Sequence, residues 1–124
     1  MENTPNTLLI VDDNTDLQNL TRELFESEGY AVYCASNGRE ALEFLRENTV
    51  KVDLIMLDLK MPVMDGFQFR KEQLLDHSLL SIPVVIVSAD ANVEIQANEL
   101  KAQGFLTKAG DIDNMLAVIK ALLP

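Results

Sequence analysis

The apolar positions of this chain follow two periods that take turns from one end to the other. "TLLIV" (7–11) is a continuous apolar run, the pattern of a strand covered on both faces. From Asn14 to Glu28, Leu17, Leu20, Leu24 and Phe25 recur at helical spacing, and Gly29 stops the segment. "YAVYCA" (30–35) predicts a second strand. "SNGREALEFLREN" follows as a helix capped at Ser36 or Asn37, with Ala41, Leu42 and Leu45 as its inner stripe. "VDLIMLD" (52–58) is the third strand, a helix runs from about Gly66 to Leu75, and "VVIVS" (84–88) is the fourth strand. Val93 to Gln103 predicts a weaker helix that can bury Val93, Ile95, Ala97, Leu100 and Ala102. "GFLT" (104–107) is a short fifth strand. "DIDNMLAVIKALL" closes the chain as a helix capped by Asp111, with Ile112, Met115, Leu116 and Ile119 on one face.

Strands that alternate with helices build a parallel sheet with helices on both sides. No linker, repeat or low-complexity tract interrupts the pattern, so residues 1–124 are expected to form one domain. A chain of this length buries roughly two thirds of its unfolded surface and needs no disulfide or structural metal. Acids outnumber bases by 20 to 10, a formal charge of -10, which argues against gripping nucleic acid or an anionic membrane. Cys34 is the single cysteine, so no internal disulfide can form, and it is expected as a small core residue in a reducing cytoplasm. The N-terminus carries no signal-peptide pattern and no apolar run is long enough to span a bilayer, so a cytoplasmic location is expected.

Ligands of an open parallel sheet bind outside the carboxyl ends of its strands. Here those ends are polar: Asp12-Asp13 after the first strand, Asp58 at the third, Ser88 at the fourth and Lys108 beyond the fifth. Taken singly, the acids read as helix caps or loop starters. Taken together they conflict, because carboxylates about 4 Å apart repel by roughly 4 kcal/mol per pair at an effective dielectric of about 20. A divalent cation relieves that conflict, and oxygen ligands with water suit Mg²⁺.

"IVDDN", "LDLKMPVMDG" around Asp58, "PVVIVSA", "FLTK" and "ASNGREALEFL" together resemble the receiver domain of two-component response regulators over essentially the whole chain. The resemblance implies a flavodoxin-like, doubly wound fold, with a five-stranded parallel sheet in the order 2-1-3-4-5 flanked by five helices. It implies that Asp58 accepts a phosphoryl group from a phosphohistidine on a histidine kinase or histidine phosphotransfer protein. Asp13 and Asp58 would bind Mg²⁺ directly, Asp12 largely through water, and the backbone carbonyl of Lys60 would complete the protein's share. Ser88 and Lys108 would each bind a phosphoryl oxygen, and Phe105 matches the family's switch aromatic. The implied output goes to a downstream protein target or effector domain, from a monomer or a phosphorylation-dependent dimer.

The chain departs from the family pattern twice. Ala109 stands where a cis-linked proline usually follows the lysine, and Lys101 stands where a glycine is usual. Both lie on the face of the fourth helix, fifth strand and fifth helix, which the family commonly uses to signal. A cis bond without proline costs about 2.5–4 kcal/mol, so the Lys108–Ala109 peptide is expected to be trans. Lys60 and Asp90 carry opposite charges at the mouth of the site, where a salt bridge would shield an acyl phosphate; two solvated side chains are the plainer arrangement. His77 is expected as a solvated loop residue, and Met61 and Met64 as packing in the loop after Asp58. A haloacid-dehalogenase-like phosphatase is the enzymatic alternative, but it needs a second Asp two residues after the nucleophile, and that position holds Lys60. A receiver-like binding module without phosphorylation is the other.

Overall fold

Among the described residues, β1 (Thr7–Val11), β2 (Ala31–Ala35), β3 (Leu54–Asp58), β4 (Val84–Ser88) and β5 (Gly104–Thr107) form one parallel sheet. The strand order is β2-β1-β3-β4-β5, in a computed structural model that describes residues 5–47 and 49–123. The helices between them are α1 (Thr15–Ser27), α2 (Gly38–Glu47), α3 (Gly66–Leu74), α4 (Val93–Glu99) and α5 (Ile112–Leu122). The expected architecture and strand order are therefore what the chain adopts. Residues 1–4, Pro124 and Asn48 at the end of the second expected helix lie outside the described residues. No helix among the described residues is long and apolar enough to cross a membrane.

Side chains alternate across the strands and fill two cores. Leu9, Val11, Ile55, Leu57 and Ile86 face α2, α3 and α4, where they meet Leu42, Phe69 and Val93. Leu8, Ile10, Met56 and Val85 face the other way, against Phe25 of α1 and Ile119 of α5. Cys34 packs at the margin of that second core, half-buried. Because β1 and β3 are covered on both faces, they read in sequence as unbroken apolar runs.

Capping fixes where the helices start. Asn14 accepts the Leu17 N–H, Asn37 accepts the Glu40 N–H, and Asp111 accepts the Asn114 N–H. Asp65 and Gln68 form a reciprocal capping box at the start of α3.

Three stripe residues do not bury as expected: Leu20 is 63% exposed, and Ile95 and Ile112 are both 57% exposed. Gln18 takes an inward place on α1 instead. α4 ends at Glu99 rather than Gln103. Lys101 turns left-handed (φ 55°), its N–H bonding the Asn98 carbonyl and the Ala102 N–H the Ala97 carbonyl. This is the Schellman ending, usually made with glycine. The expected glycine position thus keeps a glycine-like conformation with a lysine in it.

Candidate functional site

The strands carry the polar residues to one edge. Asp58 ends β3 opposite Val87, and Ser88 ends β4 opposite Thr107, one residue before Lys108. Asp12 leaves β1 with its N–H on the Ala35 carbonyl. Asp13, Asp58, Lys60, Ser88, Asp90 and Lys108 line a cleft of about 390 Å³. Asp12 does not line this cleft but lies beside Asp58.

One carboxylate oxygen from each of Asp12, Asp13 and Asp58 lies within 4.8 Å of the other two. Asp12 and Asp58 are buried and Asp13 is exposed. Lys108 Nζ stands 3.0 Å from Asp58 Oδ2 and 3.5 Å from Asp12 Oδ2. Three carboxylates against one ammonium leave an excess of negative charge in a partly dry place. Burial raises the Asp12 carboxyl above its ordinary value, the Asn14 N–H and Lys108 pull it down, and the charges of Asp58 and Asp13 push it up again. Burial works to lower the Lys108 ammonium, but its hydrogen bond to Asp58 and the charges of Asp12 and Asp58 together hold it raised. An all-oxygen donor set with excess negative charge, open to water at its mouth, fits Mg²⁺.

Ser88 is buried, and its Oγ accepts the Asp90 N–H at 3.1 Å. That bond uses a lone pair and leaves the hydroxyl proton to donate elsewhere. Lys60 donates its N–H to Asp58 Oδ1 at 3.4 Å, and the residue is exposed where it lines the cleft. No salt bridge joins Lys60 to Asp90 among the described residues. The Asp90 carboxylate is held instead by the Asn92 N–H and the Gln96 amide. Phe105 lies outward on β5, 37% exposed. The Lys108–Ala109 peptide is trans, as are all peptides of the described residues.

Three contributors escape a sequence reading. Gln18 donates its amide to the Asp12 carbonyl and, at 3.3 Å, to the Ala35 carbonyl, so α1 orients the Asp12–Asp13 peptide. Its place beside Leu17 in the helical stripe was the available signal. Gly66 passes so close to β3 that a Cβ there would overlap the Asp58 carbonyl oxygen and sit 2.8 Å from Leu59 Cα. Val63 is left-handed (φ 67°) within a three-residue turn closed by Met64 N–H on the Pro62 carbonyl, a costly conformation for a β-branched residue. Met61 and Met64 pack against the core from this loop, and the Gly38 N–H bonds the Met64 carbonyl, so α2 braces the loop from behind.

Residues 8–120 match the family described as response regulator receiver domain. The chain is 34% identical over 120 residues to sporulation initiation phosphotransferase F of Bacillus subtilis (strain 168), covering 94% of this chain and 93% of that one. It is 31% identical to regulatory protein AtoC of Escherichia coli (strain K12), where 95% of this chain matches 25% of that protein. It therefore spans nearly all of the first relative and about a quarter of the second. Among solved structures, chemotaxis protein CheY4 of Vibrio cholerae superposes with a TM-score of 0.86 at 26% identity, covering 97% of this chain and 100% of that one. Response regulator protein TrrA of Thermotoga maritima, solved in complex with Mg(2+)-BeF, gives 0.83 at 25% identity, covering 95% and 99%.

Proposed function

Since this chain belongs to the response regulator receiver domain family, we propose that Asp58 is the residue that takes the phosphoryl group in a phosphorylation-activated signalling cycle. Receiver domains are signalling phosphoacceptors that bind Mg²⁺ at an acidic pocket, receive their phosphoryl group from histidine kinases or phosphotransfer proteins, and act on downstream effectors. One observation carries the assignment to Asp58. It is the buried carboxylate at the end of β3 that Lys108 engages at 3.0 Å, with Asp12 and Asp13 alongside.

An Asp58 oxygen attacks the phosphorus of a phosphohistidine. The O–P bond forms as the P–N bond breaks, and the imidazole leaves with the electron pair. The transition state is loose, so positioning and charge neutralisation do the work. Asp12, Asp13 and Asp58, with the Lys60 carbonyl, would hold Mg²⁺, which when bound supplies positive charge against the phosphoryl oxygens. Lys108 offers its ammonium to one of those oxygens and Ser88 its hydroxyl proton to another. Drawing Ser88 inward moves the β4–α4 loop and opens space into which Phe105 turns. The domain is a phosphoacceptor that assists its own phosphorylation and dephosphorylation, not a turnover enzyme.

The same reading makes residues 1–124 one receiver domain acting in the cytoplasm, as a monomer or a phosphorylation-dependent dimer. A formal charge of -10 favours protein partners over nucleic acid. No observation favours the phosphatase or the non-phosphorylated module. The test is incubation with acetyl phosphate and Mg²⁺ followed by intact mass. Wild type should gain one phosphoryl group, Asp58→Asn none, Asp13→Asn far more slowly, and EDTA should suppress the gain. Phosphorylation of Asp58→Asn, or labelling undiminished in EDTA, would refute the assignment.

A further inference from the structure

α4 is tied down at both ends, and the ties are unequal. At its start, the Asp90 N–H rests on Ser88 Oγ at 3.1 Å. The Asp90 carboxylate then takes the Asn92 N–H at 2.8 Å and the Gln96 amide at 3.4 Å. These bonds are exposed or half-buried, so water can replace them at little cost. At the other end Arg70, reaching over from α3, donates Nε to the Leu100 carbonyl at 2.9 Å and Nη2 to the Lys101 carbonyl at 2.8 Å; these bonds are half-buried too, but the side chain that makes them is buried. Its Nη1 donates to Gln73 Oε1 at 2.7 Å, and Gln73 Nε2 donates to the Leu79 and Ile82 carbonyls, both at 3.0 Å.

Arg70 is 2% exposed, Gln73 is fully buried, and no salt bridge among the described residues includes Arg70. A buried guanidinium without a carboxylate is expensive unless its donors are satisfied. Here three of its five N–H donors are taken, one by Gln73 and two by the carbonyls of Leu100 and Lys101 just past the end of α4, where the backbone dipole favours a cation. Breaking this fork would strand a buried charge, whereas breaking the ties at the other end would not.

We propose that Arg70 makes the carboxyl end of α4 a fixed pivot, so that phosphorylation swings the amino end of the helix while residues 99–102 stay in place. The inference rests on the roles given above to Asp58 and Ser88. When Ser88 Oγ moves toward a phosphoryl oxygen, it carries or releases the Asp90 N–H, and with it the Asp90–Gln96 link into the first turn of α4. The disturbance stops at Arg70. Output then depends on the amino half of α4, which carries the exposed Ile95.

The experiment is amide hydrogen exchange with Mg²⁺ alone and with Mg²⁺ plus beryllofluoride, on wild type and Arg70→Met, with intact mass after acetyl phosphate run in parallel. In wild type, protection over 89–95 should change by about tenfold or more while 100–103 changes by less than about twofold. In Arg70→Met the phosphoryl gain should persist and the change should spread through 99–103. A wild-type profile in which both ends of α4 change alike overturns the pivot, whatever the variant does. So does an Arg70→Met profile that stays confined to 89–95. Absence of the mass gain in wild type overturns the phosphoacceptor reading and the pivot with it, whereas a normal gain with a uniform exchange change overturns the pivot alone.

Discussion

The edge where β1 and β3 end and the flank of α4, β5 and α5 are built on opposite terms. At the edge, every residue of both strands is buried. Packing therefore fixes the strand ends that present Asp58 and the buried Asp12, and the conflict there is electrostatic. On the flank packing is thin: Ile95, Phe105 and Ile112 are exposed, α4 has 7 residues, and Lys101 is left-handed. The conflict there is conformational. A rigid edge suits phosphoryl transfer, which rewards fixed positions. A thinly packed flank would suit the role proposed for Ser88, because thin packing lets a small displacement shift a population.

The largest effect should come from substituting Gly66, against the same operation on the flank. Gly66→Ala forces a Cβ into the backbone of Asp58 and Leu59. It should cost about 1–3 kcal/mol by overpacking and all but abolish phosphorylation, since Asp58 must move. Ile95→Ala, on an exposed helix face, should stay within about 0.5 kcal/mol and leave phosphorylation intact. Urea unfolding and intact mass read both. If Ile95→Ala proves as damaging as Gly66→Ala, the flank is not loosely packed and the contrast fails.

Most of the edge was legible in the sequence, and much of the flank was not, for the same reason. β1, β3 and β4 are continuous apolar runs that stop at a polar residue, and a parallel sheet brings such stops together. Helical periodicity tells which face a residue occupies but not whether anything covers it, so Leu20, Ile95 and Ile112 were assigned to a core that does not reach them. The end of α4 was hidden because its left-handed position holds Lys101 where a glycine would have announced it. Arg70 and Gln73 sit on the inner face of α3, where the usual apolar signal is replaced by a polar network that only the fold reveals. The missing apolar stripe in "GFQFRKEQL" was the one hint.

A smaller effect, with a sign that tests the electrostatic half of the contrast, is expected from Asp12→Asn without metal. Burial raises the Asp12 carboxyl above its ordinary value, so the folded state holds that proton more tightly than the unfolded chain. Ionising it then lowers stability. This contribution is fully favourable below the unfolded value of about 3.9 and is lost as pH rises through the folded value. In EDTA, Asp12→Asn should therefore melt a few degrees above wild type at neutral pH, and the gap should shrink toward pH 4 or below. Adding Mg²⁺ should raise wild type more than the variant, because only wild type keeps all three carboxylates. A variant that melts below wild type in EDTA at pH 7 would mean that the pairing with Lys108 outweighs burial and crowding at this edge.

The smallest effect tests the conformational half. Lys101 carries its left-handed φ of 55° with an exposed side chain. A left-handed L-residue costs roughly 1–2 kcal/mol, while glycine adopts that φ freely but loses more backbone freedom on folding. The difference favours Lys101→Gly by about 0.5–1 kcal/mol. The carbonyl that Arg70 grips and the two bonds that end α4 are backbone groups, so the substitution leaves them in place. Urea unfolding should show a higher midpoint with an unchanged slope, the mark of altered stability without altered compactness. Phosphorylation at the edge should not change, because no strand position is touched. A lower midpoint would mean that the stem of Lys101 packs along the flank and contributes more than its backbone strain removes, which would make this part of the flank better packed than its exposure suggests.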